Sequence, residues 1–160
     1  MDKLVFINKV QEARVEWQSL LAEVDKSRMT DPDLPGGWSV KDVIAHITWY
    51  EREMIGMLKA MALEGSDLWQ LPQDKRNVPI YEENKDRPLE EVLSEAEQVY
   101  DQLFEAIASL SEDELSDPSH FRDMPSEWIP WDVMAGNTYD HYYQHIPDIQ
   151  AWLEESKEST

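Results

Sequence analysis

The chain has 160 residues, with 14 Lys and Arg against 34 Asp and Glu for a formal net charge of −20, and no Cys. This length suits one domain with a sizeable core, and the charge argues against nucleic acid and anionic membranes as partners. Without Cys there are no disulfides, thiolate metal ligands or Cys nucleophile, so any metal site must use His, Asp or Glu.

Gly is scarce at five residues and β-branched runs are absent, which predicts an all-α fold. The N-terminal stretch MDKLVFINKVQEARVEWQ carries charge throughout. It reads as neither a signal peptide nor a membrane span, so a cytoplasmic protein is expected. The first helix is predicted from Lys3 to about Lys26, with Leu4, Ile7, Val10, Trp17, Leu20, Leu21 and Val24 on one stripe. The breaker run DPDLPGG ends it.

The second helix has a marked start. Ser39-Val-Lys-Asp42 reads as a capping box, and Trp38 and Val43 bracket it as a hydrophobic staple. The helix is predicted to run through VIAHITWYEREMIGMLKAMALEG and stop at Gly65. The gap that follows, 66–87, is too long for a tight helical hairpin and holds a short turn at VPIYEEN. A third helix is expected from Pro88, with core positions Leu89, Val92, Leu93, Ala96, Val99, Leu103, Phe104, Ile107 and Leu110. A capped turn at SEDEL follows.

The fourth helix is predicted from Pro130 or Trp131 to about Ser156, with a kink or local widening at Pro147. The tail EESKEST reads as frayed. A long crossover lets helices two and three run parallel. The expected architecture is therefore a single helical domain over 1–160, with its core in about 2–156, folded as a four-helix bundle of up-down-down-up connectivity. From Pro88 onward the only basic residues are Arg122 and Lys157.

The chain has four histidines. His141 and His145 stand four residues apart in NTYDHYYQHIPDI, so they share a helix face with Cβ atoms about 5–6 Å apart. Position 142 is Tyr, which excludes the HEXXH zinc-protease pattern. His46 sits mid-helix in VIAHITWY and is expected to face the bundle interior, where facing helices assemble metal sites. A His pair at this spacing can also lie exposed or bond backbone carbonyls; with His46 inward, the three would make a three-nitrogen site with open positions, the catalytic rather than the structural pattern. His120, in DPSHFRD, reads as a surface residue. Asn137 is placed one turn before His141, as a group that orients a ligand or a bound water.

With seven Trp and six Tyr, the chain is rich in aromatics that could line a pocket. Trp49, Tyr50, Trp128, Trp131 and Tyr142 are the candidates, although core packing explains each taken singly. Asp42 is accounted for by its cap, Glu16 reads as solvated, and no general base stands out.

The segment GGWSVKDVIAHITWYE resembles the second helix of the DinB-like superfamily, with its Trp-Ser start and a His seven residues after the Ser. NTYDHYYQH resembles the fourth helix of that superfamily, with its His-x-x-x-His. IYEENKDRPLEEVL and GNTYDHYYQHIPDIQAWL resemble the ClbS/DfsB-like branch in particular. The resemblance implies an up-down-down-up bundle, often a homodimer. It also implies a divalent metal ion, zinc or nickel, on His46, His141 and His145. It further implies a stress-response metalloenzyme acting on a small electrophilic molecule with a low-molecular-weight thiol, as bacillithiol or glutathione S-transferases and mycothiol-dependent isomerases do. Two alternatives stand beside this: a non-enzymatic sequestration protein, and a hydrolase like the self-resistance protein of the ClbS-like branch, which opens a strained cyclopropane. Pro147 departs from the usual residue at its position.

Overall fold

The computed structural model describes residues 1–158. Helix α1, Lys3–Ala22, starts where the Asp2 carboxylate accepts from the Leu4 amide at 2.7 Å. Its buried face keeps Val10, Trp17 and Leu20 of the expected stripe, adds Ala13 and Arg14, and begins at Phe6 rather than at Leu4. Leu4 is 66% exposed. Six residues separate it from Val10, which leaves it ~120° off that face, whereas Phe6 lies one turn before Val10. The helix also ends earlier than expected, and a 3₁₀ turn at Lys26–Arg28 follows, capped by Asp25.

Gly36 and Gly37 both have φ of 77°, a conformation that costs a side chain with Cβ but not glycine. They let the chain double back so that the Leu34 amide reaches the Trp38 carbonyl at 2.9 Å. The turn delivers Trp38 to the start of α2, Val40–Ala60. The capping box is present: Ser39 Oγ accepts from the Asp42 amide at 3.2 Å, and Asp42 Oδ2 accepts from the Ser39 amide at 2.8 Å. Helix α2 ends at a left-handed Met61 rather than at Gly65. Pairing with a distant segment explains the early stop. The Arg122 amide donates to the Met61 carbonyl at 2.9 Å, and the Leu63 amide donates to the Arg122 carbonyl at 2.8 Å.

The stretch read as a gap with a short turn is a helix, α3, Gln73–Asn84, preceded by a 3₁₀ turn at Asp67–Gln70. Its sequence hides it, because Pro79 lies inside and only Ile80 and Asn84 are buried. Tertiary contacts hold it instead. Ile80 packs on Trp49 and Tyr50, and Tyr81 stacks on Trp38 with centroids 5.7 Å apart. The buried Lys41 ammonium donates to the Lys85 and Arg87 carbonyls, at 2.7 and 2.8 Å, just past the C-terminal end of α3.

Helix α4, Leu89–Ala108, buries Val92, Ala96, Val99, Leu103 and Ile107, as its period predicts. Ser111 then caps the short α5, Glu112–Ser116. The expected fourth helix is two: α6, Pro130–Gly136, and α7, Tyr139–Glu158. The break is at Asn137 and Thr138, whose side chains turn back to the Val133 and Met134 carbonyls at 2.8 and 2.7 Å. Such local bonds compete with helix continuation. Pro147 does not break α7, because it lies on the exposed side while Ile146, Ile149 and Trp152 anchor the buried side. The tail read as frayed is helical through Glu158, and Ser159 and Thr160 lie outside the described residues.

Four long helices, α1, α2, α4 and α7, form the bundle. Phe6 meets Tyr139, Trp17 meets Tyr142 and Arg28 meets Trp152, so α1 and α7 run parallel. Lys41 meets Lys85 and Arg52 pairs with Glu95, so α2 and α4 run parallel. On α2 and α7, His46 meets His145 while Glu51 meets Tyr142, so these two run antiparallel. This is the up-down-down-up order. No helix among the described residues is long and apolar enough to cross a membrane.

Candidate metal centre

The capping box fixes the register of α2, and two turns further in it turns His46 toward α7. The ring is 2% exposed, with the Trp38 and Tyr50 rings edge-on at 5.2 and 4.9 Å. His141 and His145 project from successive turns of α7, the first buried and the second half-buried. The three rings point Nε2 at a common centre. His141 Nε2 lies 3.0 Å from His46 Nε2 and 3.1 Å from His145 Nε2, and the three candidate ligand atoms lie within 4.8 Å of one another.

This geometry suits a cation. One Nε2 carries at most one proton, so His141 cannot donate to both neighbours. Nitrogens bound to one ion at ~2.0–2.1 Å stand ~3 Å apart, as His141 Nε2 does from each of its two neighbours. Burial drives the His46 pKa down to about 3 and that of His141 to about 2, and the neighbouring imidazoles add to both shifts. His145 is lowered as well, by burial, with Asp148 opposing. All three are therefore neutral donors at ordinary pH. An all-imidazole set suits zinc, nickel and similar ions rather than calcium or magnesium, which take oxygen ligands. The Nδ1 atoms of His46 and His141 are buried with no hydrogen-bond partner among the described residues, so none of these orients the rings from behind.

A cleft of about 1030 Å³ ends on His141, Tyr50 and Asn137. Asn137 does line it, but as the C-cap of α6 rather than as a residue of the histidine helix. Tyr50 packs its ring on His46 and His141, at 4.9 and 4.8 Å, and its hydroxyl donates to Asn77 on α3 at 2.8 Å. Trp128 is a rim residue, 43% exposed. Trp49 is buried beside Ile80, with its ring on Trp69, and Trp131 packs on the core. Glu16 is exposed and accepts from Tyr143. His120 is exposed in the 3₁₀ turn Pro118–His120.

Tyr142 points away from the histidines. Its hydroxyl makes a short bond to Glu51 and accepts from Arg14 Nη1 at 2.9 Å. Arg14 stacks over Tyr100 at 4.4 Å. This polar cluster inside the bundle joins α1, α2, α4 and α7, and it is absent from the sequence-based expectations above. The signal was present, because Arg14 and Glu51 are opposite charges at core-facing positions of two helices.

Burial raises the Glu51 carboxyl from its ordinary 4.5 to about 7, against the opposing pull of Arg14 and the Tyr142 bond. The folded state then holds a proton that the unfolded state has lost. Stability from this group is full below pH 4.5 and is lost as pH rises through about 7, on the order of 3 kcal/mol in all. Arg14→Met should raise the Glu51 pKa further and move this loss to higher pH, as measured by chemical denaturation between pH 5 and 9. An unmoved profile would mean that Arg14 is not the opposing charge.

The sequence profile of the DinB superfamily matches residues 9–158. No curated protein matches the chain. A crystal structure of an uncharacterised protein from Escherichia coli UTI89 superposes with a TM-score of 0.78 at 14% identity, covering 97% of this chain and 94% of that one. At that identity the likeness establishes the fold alone.

Proposed function

The chain belongs to the DinB superfamily, and from that premise we propose that it is a divalent-metal-dependent enzyme acting on a small electrophilic molecule. The observation that carries this reading is the convergence of three neutral, buried or half-buried imidazole nitrogens on one point beside an open cleft. His46, His141 and His145 would hold the ion. When bound, it would act as a Lewis acid that brings the pKa of a coordinated thiol or water toward neutrality.

The protein's own side chains do the rest. Tyr50 walls the histidines on the cleft side, and α3 anchors its hydroxyl. Trp38 and Tyr81 stack to cover His46 and keep water from its back. Asn137 stands at the cleft's inner end, with Nδ2 committed to Val133 and its carbonyl oxygen facing no other described donor. The fold and the charge of the chain support a small-molecule partner rather than nucleic acid. Transfer of a low-molecular-weight thiol, membership of the ClbS/DfsB-like branch and a homodimeric state are parts of the same proposal.

The test is metal content, followed by turnover. Protein purified without an affinity tag and reconstituted with zinc or nickel should retain a stoichiometric ion through gel filtration. It should then conjugate a thiol from a small panel to an electrophile such as a chlorodinitroarene. Protein that retains no ion after reconstitution would sink the proposal. Metal with no turnover for any thiol would favour the second reading, sequestration, which the size of the cleft supports.

A further inference from the structure

The cleft that ends on His141 has a one-sided electrostatic lining. Glu53, Glu64, Asp67, Glu127 and Asp132 face one guanidinium, Arg76. Two of these carboxylates have structural work. Glu53 Oε1 accepts from the Ser66 amide at 2.6 Å and from Trp69 Nε1 at 2.7 Å, and Glu64 pairs with Arg122 at 2.7 Å. Asp67, Glu127 and Asp132 have no ion-pair partner among the described residues. They come from three separate places: the 3₁₀ turn after α2, the loop before α6, and the first turn of α6.

Arg76 does not offer a free anion site. Its Nε and Nη2 donate to the Leu68 and Leu71 carbonyls, at 3.2 and 3.0 Å, and its guanidinium lies over the Trp69 ring at 4.5 Å. Trp128, by contrast, is 43% exposed at the rim and has no ring or cation partner among the described residues. Low-dielectric walls lined by one sign of charge focus the field and raise the local concentration of the opposite ion. An open indole face beside carboxylates is itself a cation site. The inner end is built for a ligand independently of charge: His141, 3% exposed, closes it, and its Nε2 is the central nitrogen of the histidine set.

We infer that this cleft takes a ligand with a cationic, ammonium-type outer end, seated between Trp128 and the Asp67, Glu127 and Asp132 carboxylates, with its reactive end at His141. Resting on the metal-site reading above, it narrows the substrate class. An amine-bearing thiol or electrophile fits, and a carboxylate-rich thiol such as glutathione is disfavoured.

The experiment uses three small thiols of different charge on cobalt-substituted protein: thiocholine (cationic), 2-mercaptoethanol (neutral) and 3-mercaptopropionate (anionic). The near-ultraviolet sulfur-to-cobalt band gives each affinity. Thiocholine should bind at least about tenfold more tightly than 3-mercaptopropionate at low salt, with the ratio shrinking at high salt. Asp132→Asn combined with Glu127→Gln should reduce the ratio toward one without loss of cobalt. A second measurement needs no metal. Quenching of Trp128 fluorescence, taken as the difference from Trp128→Phe, should be stronger with caesium than with iodide.

Equal thiol affinities with normal bands would overturn the inference and leave the metal site standing. No sulfur-to-cobalt band with any of the thiols, together with the caesium preference, would overturn the thiol reading while supporting a cleft for cationic ligands. Iodide quenching at least as strong as caesium quenching would overturn the cleft assignment whatever the metal does.

Discussion

Replacing His141 with alanine is expected to lower divalent-ion affinity by more than ~100-fold, because even outer-shell partners of metal ligands are worth 10–100-fold. His141 is the central ligand, the one whose Nε2 lies near 3 Å from both of the others. Without it, His46 and His145 remain on different helices with no nitrogen between them. His145→Ala should cost less, since His145 is the half-buried member and its loss leaves the His46–His141 contact intact. His120→Ala should change nothing, because that ring is exposed in a separate turn. Competition with a chromophoric chelator reads all three affinities. Equal affinity in wild type and His141→Ala would show that the ion binds elsewhere.

The second large effect is acid sensitivity of the metal-free protein. Burial lowers the His46 pKa to about 3 and the His141 pKa to about 2, from an ordinary 6.5. Below pH 6.5 the unfolded chain takes up protons at these residues and the folded chain does not. Stability is therefore present above 6.5 and is lost as pH falls toward about 3, on the order of 5 kcal/mol from His46 alone. Glu51 works in the opposite direction between 4.5 and about 7, but it is one group against two. Typical domains hold only ~5–15 kcal/mol in total, so metal-free protein should lose a measurable share of its stability at mildly acid pH. Denaturation curves in chelator from pH 7 to 4 measure this. His46→Phe, which keeps a buried ring without a titrating group, should flatten the slope. A wild-type profile flat over that range would contradict the buried neutral imidazoles.

The three histidines were legible in the sequence for a definite reason. A spacing of four puts two side chains on one helix face whatever surrounds them. His46 was placed by its own helix start, because the Ser39–Asp42 box fixes where α2 begins and so which way position 46 points. The α4 stripe was legible in the same way, from Val92 through Ile107. Elsewhere local signals misled. Leu4 looked like a core residue and lies exposed, while Phe6 carries the first turn of the core. Tyr142, next to a histidine in sequence, faces the Arg14–Glu51 cluster, because adjacent residues on a helix point ~100° apart.

Period, capping and composition by themselves determined the helical class, the four long helices and the histidine set, because these depend on neighbours within a turn or two. Only the tertiary structure decided the rest. It set α3 as a helix over the site despite Pro79, because Ile80 and Tyr81 gain partners from α2 and the turn before it. It ended α2 at Met61 through the Arg122 pairing, and it buried Arg14 and Glu51 where Tyr142 and Tyr100 could receive them. It also gathered carboxylates from distant segments around one cleft, because the field they make depends on distance in space and not on separation along the chain.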